Sequence, residues 1–402
     1  MAPVKPPRRH RGVPAVAPRG HDCDNRAMGE LTIPADLLPA DPRFGSGPSR
    51  IRPEALAALD APDSVLGTSH RHAPVRHLVG RLREELAELY HLPAGHEVVL
   101  GNGGATLFWD MAAACLVGHR SANGIFGEFG RKFASVLQRA PFLADPAVFE
   151  APAGQLAVPT AVSGVGTYAW PHNETSTGVV APVARPDDID EDALVLVDAT
   201  SAAGGIDAEL SGIDAYYFSP QKNFASDGGL WVAFLSPAAV ERVERLTASA
   251  RWIPDVLNLR TAVEQSRRNQ TLNTPALATL TLMEAQTRWL LDQGGMTWAA
   301  QRTRTTSGKL FDWAEGHPLV RPAVADPALR SPVTVTLTLD EKVDAERVRE
   351  VARANGILDL EPYRGQDGRQ IRVATFTSVT PGDVEALIAC LDWIIERVVD
   401  ED

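Results

Sequence analysis

The sequence predicts a large, mostly parallel α/β domain followed by a smaller α+β domain. Short, nearly continuous apolar runs at 97–100, 194–199, 215–219 and 230–236 read as strands of a sheet covered on both faces. Helical apolar stripes alternate with these runs. The last hundred residues repeat the alternation on a smaller scale, beginning with the period-two run VTVTLTL at 333–339.

In chain order, residues 1–27 are rich in Pro and Arg and carry no apolar periodicity, so they read as a disordered leader, or as an upstream start preceding Met28. Residues 75–91 place Val75, Leu78, Val79, Leu82, Leu86 and Leu89 on one helical face. The strand EVVL (97–100) runs into the glycine turn GNGG (101–104) and then into a helix, ATLFWDMAAACLVG. LVLVDA, AYYFS and LWVAFLS supply three further strands. A long helix is expected from Pro275, a residue suited to a first helical position, to about Asp292, with Gly294–Gly295 as its stop. Residues 344–355 read as a helix capped by Gly356, 371–376 as a strand, and the segment after Thr380–Pro381 as a closing helix. The expected division is 45–292 for the large domain, and 28–44 with 293–402 for the small one.

The chain has 402 residues, 44% of them hydrophobic and 22% charged, an ordinary globular balance. Lys and Arg number 39 against 51 Asp and Glu, a net charge of −12, which gives no general attraction for nucleic acid or anionic membrane. No apolar run approaches the ~20 residues that a membrane helix needs. Cys23, Cys115 and Cys390 are odd in number and far apart, which suits neither a disulfide framework nor a metal site and fits a reducing cytoplasm.

Asp198 ends one strand, and Lys222, in SPQKN (219–223), follows another. In open α/β sheets, ligands sit at the carboxyl ends of strands. A desolvated lysine loses its proton readily and can form a Schiff base; a carboxylate on a neighbouring strand can pair with a protonated pyridine nitrogen. Taken singly, a surface lysine in a turn and a helix-capping aspartate account for each residue, and only the matched pair points to chemistry. GNGGAT (101–106) offers helix N-terminal N–H groups and the Thr106 hydroxyl to a phosphate, although a plain tight turn reads equally well. Thr106 stands where a dinucleotide fingerprint needs Gly or Ala. GVGTYA (164–169) matches that fingerprint, yet no helix opens there because Pro171 follows. The polar cluster WPHNETSTG (170–178) offers Asn173, Glu174 and Thr175 or is an ordinary loop. Arg71, Arg267, Arg268, Arg364 and Arg372 are candidate anion ligands, since guanidinium forks match carboxylate and phosphate geometry.

These residues resemble the phosphoserine aminotransferase family: pyridoxal-phosphate-dependent transaminases of fold-type I and class V, and among them the actinobacterial branch. The motifs are FGSGPS (44–49), TSHR (68–71), GNGG, HNET (172–175), VDATSAAGG (197–205), SPQKN and LNTP (272–275), in the expected order. The resemblance implies that Lys222 carries pyridoxal 5'-phosphate covalently and serves as catalytic base and acid. It implies that Asp198 pairs with the pyridine nitrogen, that Thr175 bonds the ring hydroxyl, and that Phe129 stacks on the ring where the family usually has tryptophan. Ala105, Thr106 and Gln221 would contact the phosphate. Asn273 and Thr274 would reach the neighbouring subunit's cofactor, making a homodimer with shared sites. Arg71 would clamp the substrate carboxylate with Ser46 nearby, and Arg364 and Arg372 would hold the distal phosphate or carboxylate. The implied reaction is ping-pong transfer from glutamate to 3-phosphohydroxypyruvate in cytoplasmic serine biosynthesis, with a possible second use in pyridoxine biosynthesis.

The alternatives are an alanine– or serine–glyoxylate transaminase of the same fold, which needs no arginines for a distal phosphate, and a non-catalytic protein retaining the fold. A cysteine desulfurase would need a mobile cysteine in the cleft, whereas Cys115 and Cys390 lie in expected helices.

Overall fold

The computed structural model describes residues 31–400. The expected leader at 1–27, with Cys23, lies outside the described residues.

Seven strands form the main sheet: β1 (Glu97–Asn102), β2 (Ser121–Ile125), β3 (Ala147–Glu150), β4 (Thr167–Pro171), β5 (Leu194–Asp198), β6 (Ala215–Phe218) and β7 (Leu230–Leu235). Their spatial order is β1-β7-β6-β5-β4-β2-β3. The β2, β3, β4, β5 and β6 pairings are parallel, and β7 runs against both of its neighbours. Alternate residues of one strand enter two separate cores. Val195, Val197, Tyr216 and Phe218 pack with Leu82 and Leu86 of helix α1 (Ala73–Leu89). Leu194, Leu196, Ala215 and Tyr217 pack with Phe108 and Ala112 of helix α2 (Ala105–Cys115). A strand covered on both faces has no polar side to display, so its apolar run is continuous.

Among the strands of this sheet, β2 and β3 escaped the sequence reading. β2 reads SANGI, whose Ser, Asn and Gly carry little β signal, and Gly124 is required there because a Cβ would meet the Ala157 carbonyl at 2.5 Å. β3 lies at the sheet edge. Helices α3 (Glu128–Arg139), α4 (Pro237–Thr247) and α5 (Leu259–Arg267) complete this face.

The long helix α6 spans Leu277–Gln293 and does not begin at Pro275. Asn102 Nδ2 donates to the Thr274 carbonyl (2.7 Å) and Ala276 stays extended, which delays the first turn. Gly294, at φ 119°, ends α6, and α7 (Gly295–Gly316) starts at once.

The second sheet is antiparallel: β8 (Val320–Pro322), β9 (Thr334–Leu339) and β10 (Gln370–Ala374). Helices α8 (Ala345–Ala354) and α9 (Pro381–Asp400) flank its strands in the chain. Despite its period-two alternation, every residue of β9 is buried. A short hairpin, Asn173–Glu174 with Val179–Val180, docks on it: Thr336 Oγ1 donates to the Thr177 carbonyl (3.0 Å). Gly178, at φ 75°, permits this approach, since a Cβ there would meet Thr336 Oγ1 at 2.5 Å.

The segment 44–50 is tied on several sides. Ala374 N–H donates to the Phe44 carbonyl (2.9 Å) and Ser49 N–H to the Gln221 carbonyl (2.7 Å). Arg50 is buried, bonds the Ser378 carbonyl and pairs with Asp383 at 2.6 Å. Asp383→Ala leaves the buried Arg50 guanidinium with only the longer pairing to Asp41 (3.8 Å) and should cost about 3 kcal/mol of unfolding free energy by denaturant titration. A loss under about 1 kcal/mol would mean that water reaches Arg50.

Candidate active site

The register of two adjacent parallel strands makes the site. Asp198 closes β5 and pairs with Tyr217 of β6, so the chain leaving β6 carries Lys222 to the same carboxyl edge. Both line one cavity of about 230 Å³, together with Ala105, Thr106, Phe129, Thr175 and Gln221. Trp109, Thr200, Ser201 and Ser219, which the sequence reading did not single out, also line it.

Asp198 is buried and fully engaged. Thr200 donates to Oδ1 from its N–H (2.9 Å) and its hydroxyl (2.6 Å), and Trp109 Nε1 donates to Oδ2 (2.9 Å). Burial pushes its pKa above the ordinary carboxylate value, against the pull of these donors. Lys222 Nζ donates to the Ser46 carbonyl. Burial and the Arg372 guanidinium lower the ammonium to about 8, against the attraction of Asp198 and Glu174.

The helix N-terminus at 105 is partly used. Ala105 N–H donates to Ser219 Oγ (2.8 Å), whose hydroxyl donates to the Leu230 carbonyl. Thr106 is therefore the more open of the two expected phosphate contacts. The Thr175 hydroxyl donates to Ser201 Oγ (2.8 Å), as does Asn173 Nδ2 (2.9 Å).

Glu174, the buried carboxylate of HNET, accepts from the N–H groups of Phe129 (3.0 Å) and Gly130 (3.1 Å), while its other oxygen accepts from Ser176. Negative charge at a helix N-terminus is favourable, and here it fixes the turn that carries the Phe129 ring. Gly127 is required because a Cβ would meet Glu174 Cγ at 2.2 Å.

The remaining expected residues lie elsewhere. Ser46 meets the lysine through its carbonyl, not its hydroxyl, which is buried without a partner. Arg372 is adjacent: its Nη1 donates to the Thr175 carbonyl (3.0 Å). Arg364 is exposed and lines a separate cleft with Arg372. Arg71 does not line the Lys222 cavity within its own chain. The TSHR loop packs on the 270–274 segment, where Arg71 Nη1 reaches Gln270 Oε1 (3.4 Å) and His70 Nδ1 lies 3.1 Å from Thr274 Oγ1. Asn273 and Thr274 are likewise away from that cavity.

A flat aromatic with a protonated ring nitrogen and a phosphate suits the cavity. Phe129, Trp109 and Pro171 give apolar walls, Asp198 an acceptor, and α2 an N-terminus. Asn173 Oδ1 and Gln221 Oε1, on lining residues, are buried without partners.

Comparison with known proteins agrees with this geometry. The class-V aminotransferase profile matches residues 165–358. The phosphoserine aminotransferase of Nocardioides sp. is 53% identical over 370 residues, covering 92% of this chain and 99% of its own. The chain belongs to the phosphoserine aminotransferase family of class-V aminotransferases. It is a transaminase, and its cofactor is pyridoxal phosphate. A solved phosphoserine aminotransferase from Cytophaga hutchinsonii aligns with a TM-score of 0.81 at 25% identity, covering 88% of this chain and 98% of that one. An alanine–glyoxylate aminotransferase from Nostoc sp. aligns at 0.73 and 20% identity, covering 92% and 99%, which speaks for the fold alone.

The lowered lysine pKa gives a direct test. Only the neutral amine attacks an aldehyde, so covalent capture of pyridoxal phosphate by the cofactor-free protein should speed up with rising pH with a midpoint near pH 8 and level off above it. A midpoint near the ordinary lysine value of about 10.4 would put Lys222 in water.

Proposed function

We propose that this transaminase moves an amino group from glutamate to 3-phosphohydroxypyruvate, giving 2-oxoglutarate and O-phosphoserine, and serves serine biosynthesis in the cytoplasm. One observation carries the reading: Arg372 stands beside the cavity of Lys222 and Asp198, and Arg364 lines the adjoining cleft of mixed charge, so that two guanidinium groups are on offer to a substrate acidic at both ends.

The bound cofactor supplies an electron sink for the pair released when the substrate Cα loses its proton. Lys222 anchors the cofactor, takes that proton as its amine is freed, and returns it on the other side of the transfer. A pKa of about 8 suits both halves, because the group neither holds nor refuses a proton strongly near neutrality. Asp198 keeps its negative charge against the ring nitrogen and so keeps that nitrogen protonated; Trp109 and Thr200 hold the carboxylate in position. Thr106 and Gln221 receive the phosphate, with Ala105 at the same helix end; Thr175 receives the ring hydroxyl, and Phe129 covers the ring face.

The substrate's α-carboxylate falls to Arg372, not to Arg71. A group one bond from the reacting Cα must lie beside the lysine, and Arg372 is the cation whose field depresses the Lys222 pKa. With Nη1 on Thr175, its Nε and Nη2 edge has no acceptor among the described residues and forms a fork for a carboxylate. Arg364 then serves the distal anion. Asn273 and Thr274, grouped with His70 and Arg71 away from this cavity, are read as completing the site of a second subunit in a homodimer. A phosphorylated hydroxy-threonine carries the same acidic ends, which makes pyridoxine biosynthesis a second use to assay.

The alanine– or serine–glyoxylate alternative gives the cleft's cations no task. A coupled assay with 3-phosphohydroxypyruvate and glutamate tests the proposal, and activity with glyoxylate alone would overturn it. Lys222→Ala should abolish turnover while the thermal transition is kept; turnover at the wild-type rate refutes its role. Asp198→Ala should lower kcat by several orders of magnitude; a change below about tenfold, ~1.4 kcal/mol of barrier, would remove Asp198 from the reacting ring.

A further inference from the structure

The two oxygens of Asp198 keep unequal company. Oδ1 accepts two bonds from Thr200, and Oδ2 accepts one, from Trp109 Nε1 (2.9 Å). A carboxylate offers about four lone pairs, so the place left for a ring nitrogen is on Oδ2, the oxygen that Trp109 holds. The surroundings are otherwise apolar: Phe129, Phe133, Ala169 and Pro171 line a small cavity beside Asp198. Of the titratable neighbours, burial keeps the Tyr217 hydroxyl neutral, and the Lys222 ammonium attracts the carboxylate's charge.

Trp109 is built into its place. It is buried on α2, one turn past Ala105, and its ring stacks on Phe133 of α3 at 6.0 Å and 23°. One turn is about 6 Å along the helix axis. α2 therefore presents its N-terminus to the phosphate end of the cavity and an indole N–H to the carboxylate at the other. An indole only donates, so this bond does not change with pH in the working range. A pyridine nitrogen and a carboxylate hold a proton with similar strength, and burial strengthens the hold of Asp198. A donor on the carboxylate acts the other way, by favouring its charged form. A hydrogen bond to a charged group moves such a balance by about tenfold or more.

We propose that the Trp109 N–H decides where the proton between Asp198 and the cofactor rests: with it, on the ring nitrogen; without it, on Asp198 Oδ2. Trp109 is thus a positioning residue that acts through Asp198, and its task is to place a proton, beyond keeping the carboxylate still. The inference rests on the transaminase reading above, in which Asp198 faces the ring nitrogen. A nitrogen that loses its proton draws electrons less strongly, so the loss falls on the chemical step and not on substrate binding.

The test loads the wild type, Trp109→Phe and Trp109→His with pyridoxal phosphate carrying nitrogen-15 in its ring and reads the nitrogen resonance, which lies far upfield when that atom is protonated. The wild type should show the protonated position. Trp109→Phe should show the neutral one, with kcat for glutamate and 3-phosphohydroxypyruvate lowered by at least about tenfold and both KM values within about threefold. Trp109→His, which restores a ring N–H, should return the protonated position. A protonated nitrogen in Trp109→Phe overturns the proposal, even where cofactor binding is weaker, because that pattern belongs to an indole that only fills space. Where Trp109→Phe fails to fold, Thr200→Val puts the same question by removing a donor from the other oxygen: the resonance should move toward the neutral position, and one that stays put overturns the proposal. A neutral nitrogen in the wild type would instead remove the pairing of Asp198 with the ring, and this inference with it.

Discussion

Two groups that water would keep charged, Asp198 and Lys222, are buried at the carboxyl ends of neighbouring parallel strands, and the rest of the site follows from what that burial requires. Desolvation moves both groups toward their neutral forms. At Asp198 the hydrogen bonds from Thr200 and Trp109 oppose that shift without cancelling it. At Lys222 the attraction of Asp198 and Glu174 opposes it likewise, and burial with the Arg372 guanidinium prevails.

The strands that carry this pair were legible in the sequence because a sheet buried on both faces leaves an unbroken apolar run. LVLVDA and AYYFS are found within a residue of their predicted limits. Strand β2 was not legible, because SANGI is shaped by close packing against the 157–159 backbone and side chains rather than by propensity. The alternation in β9 was legible, but not that its threonine face is covered by the HNET hairpin, a contact between residues 159 apart in sequence. Residues whose chemistry is local, such as Lys222, Asp198 and Thr175, could be named from motifs. Trp109 could not, since an indole in an apolar helix carries no sign that its N–H will meet a carboxylate 89 residues away.

Glu174 shows how much of the site is held by groups that never meet the substrate. Its carboxylate ties the hairpin to the first turn of α3, and α3 carries Phe129. Through Arg372, whose Nη1 bonds the next carbonyl in the hairpin, the second sheet is tied to the same point. The hairpin is thus the joint at which α3, the lysine cavity and Arg372 are set relative to one another.

In the role proposed for it, anchoring the cofactor in one step and carrying a proton in another, Lys222 must be fixed at its root and free at its tip. Asn223 supplies the root. Its Nδ2 donates to the Ser201 carbonyl (2.9 Å), and its Oδ1 accepts from the Thr377 N–H (3.2 Å). Its backbone carbonyl accepts from the Thr377 hydroxyl (3.0 Å) and from Gln286 Nε2 (3.1 Å). Gly205 is required beside it, since a Cβ would meet Asn223 Oδ1 at 2.3 Å. Three segments distant in sequence, 201–205, 286 and 377, thereby hold the residue next to the lysine, while the ammonium itself touches one carbonyl. Ordering the backbone beforehand leaves only the side-chain torsions to be spent during turnover, so the amine can swing between anchoring and proton transfer without the loop moving. The asparagine after the lysine thus fixes the backbone from which the lysine side chain enters the cavity, although it does not line the cavity itself.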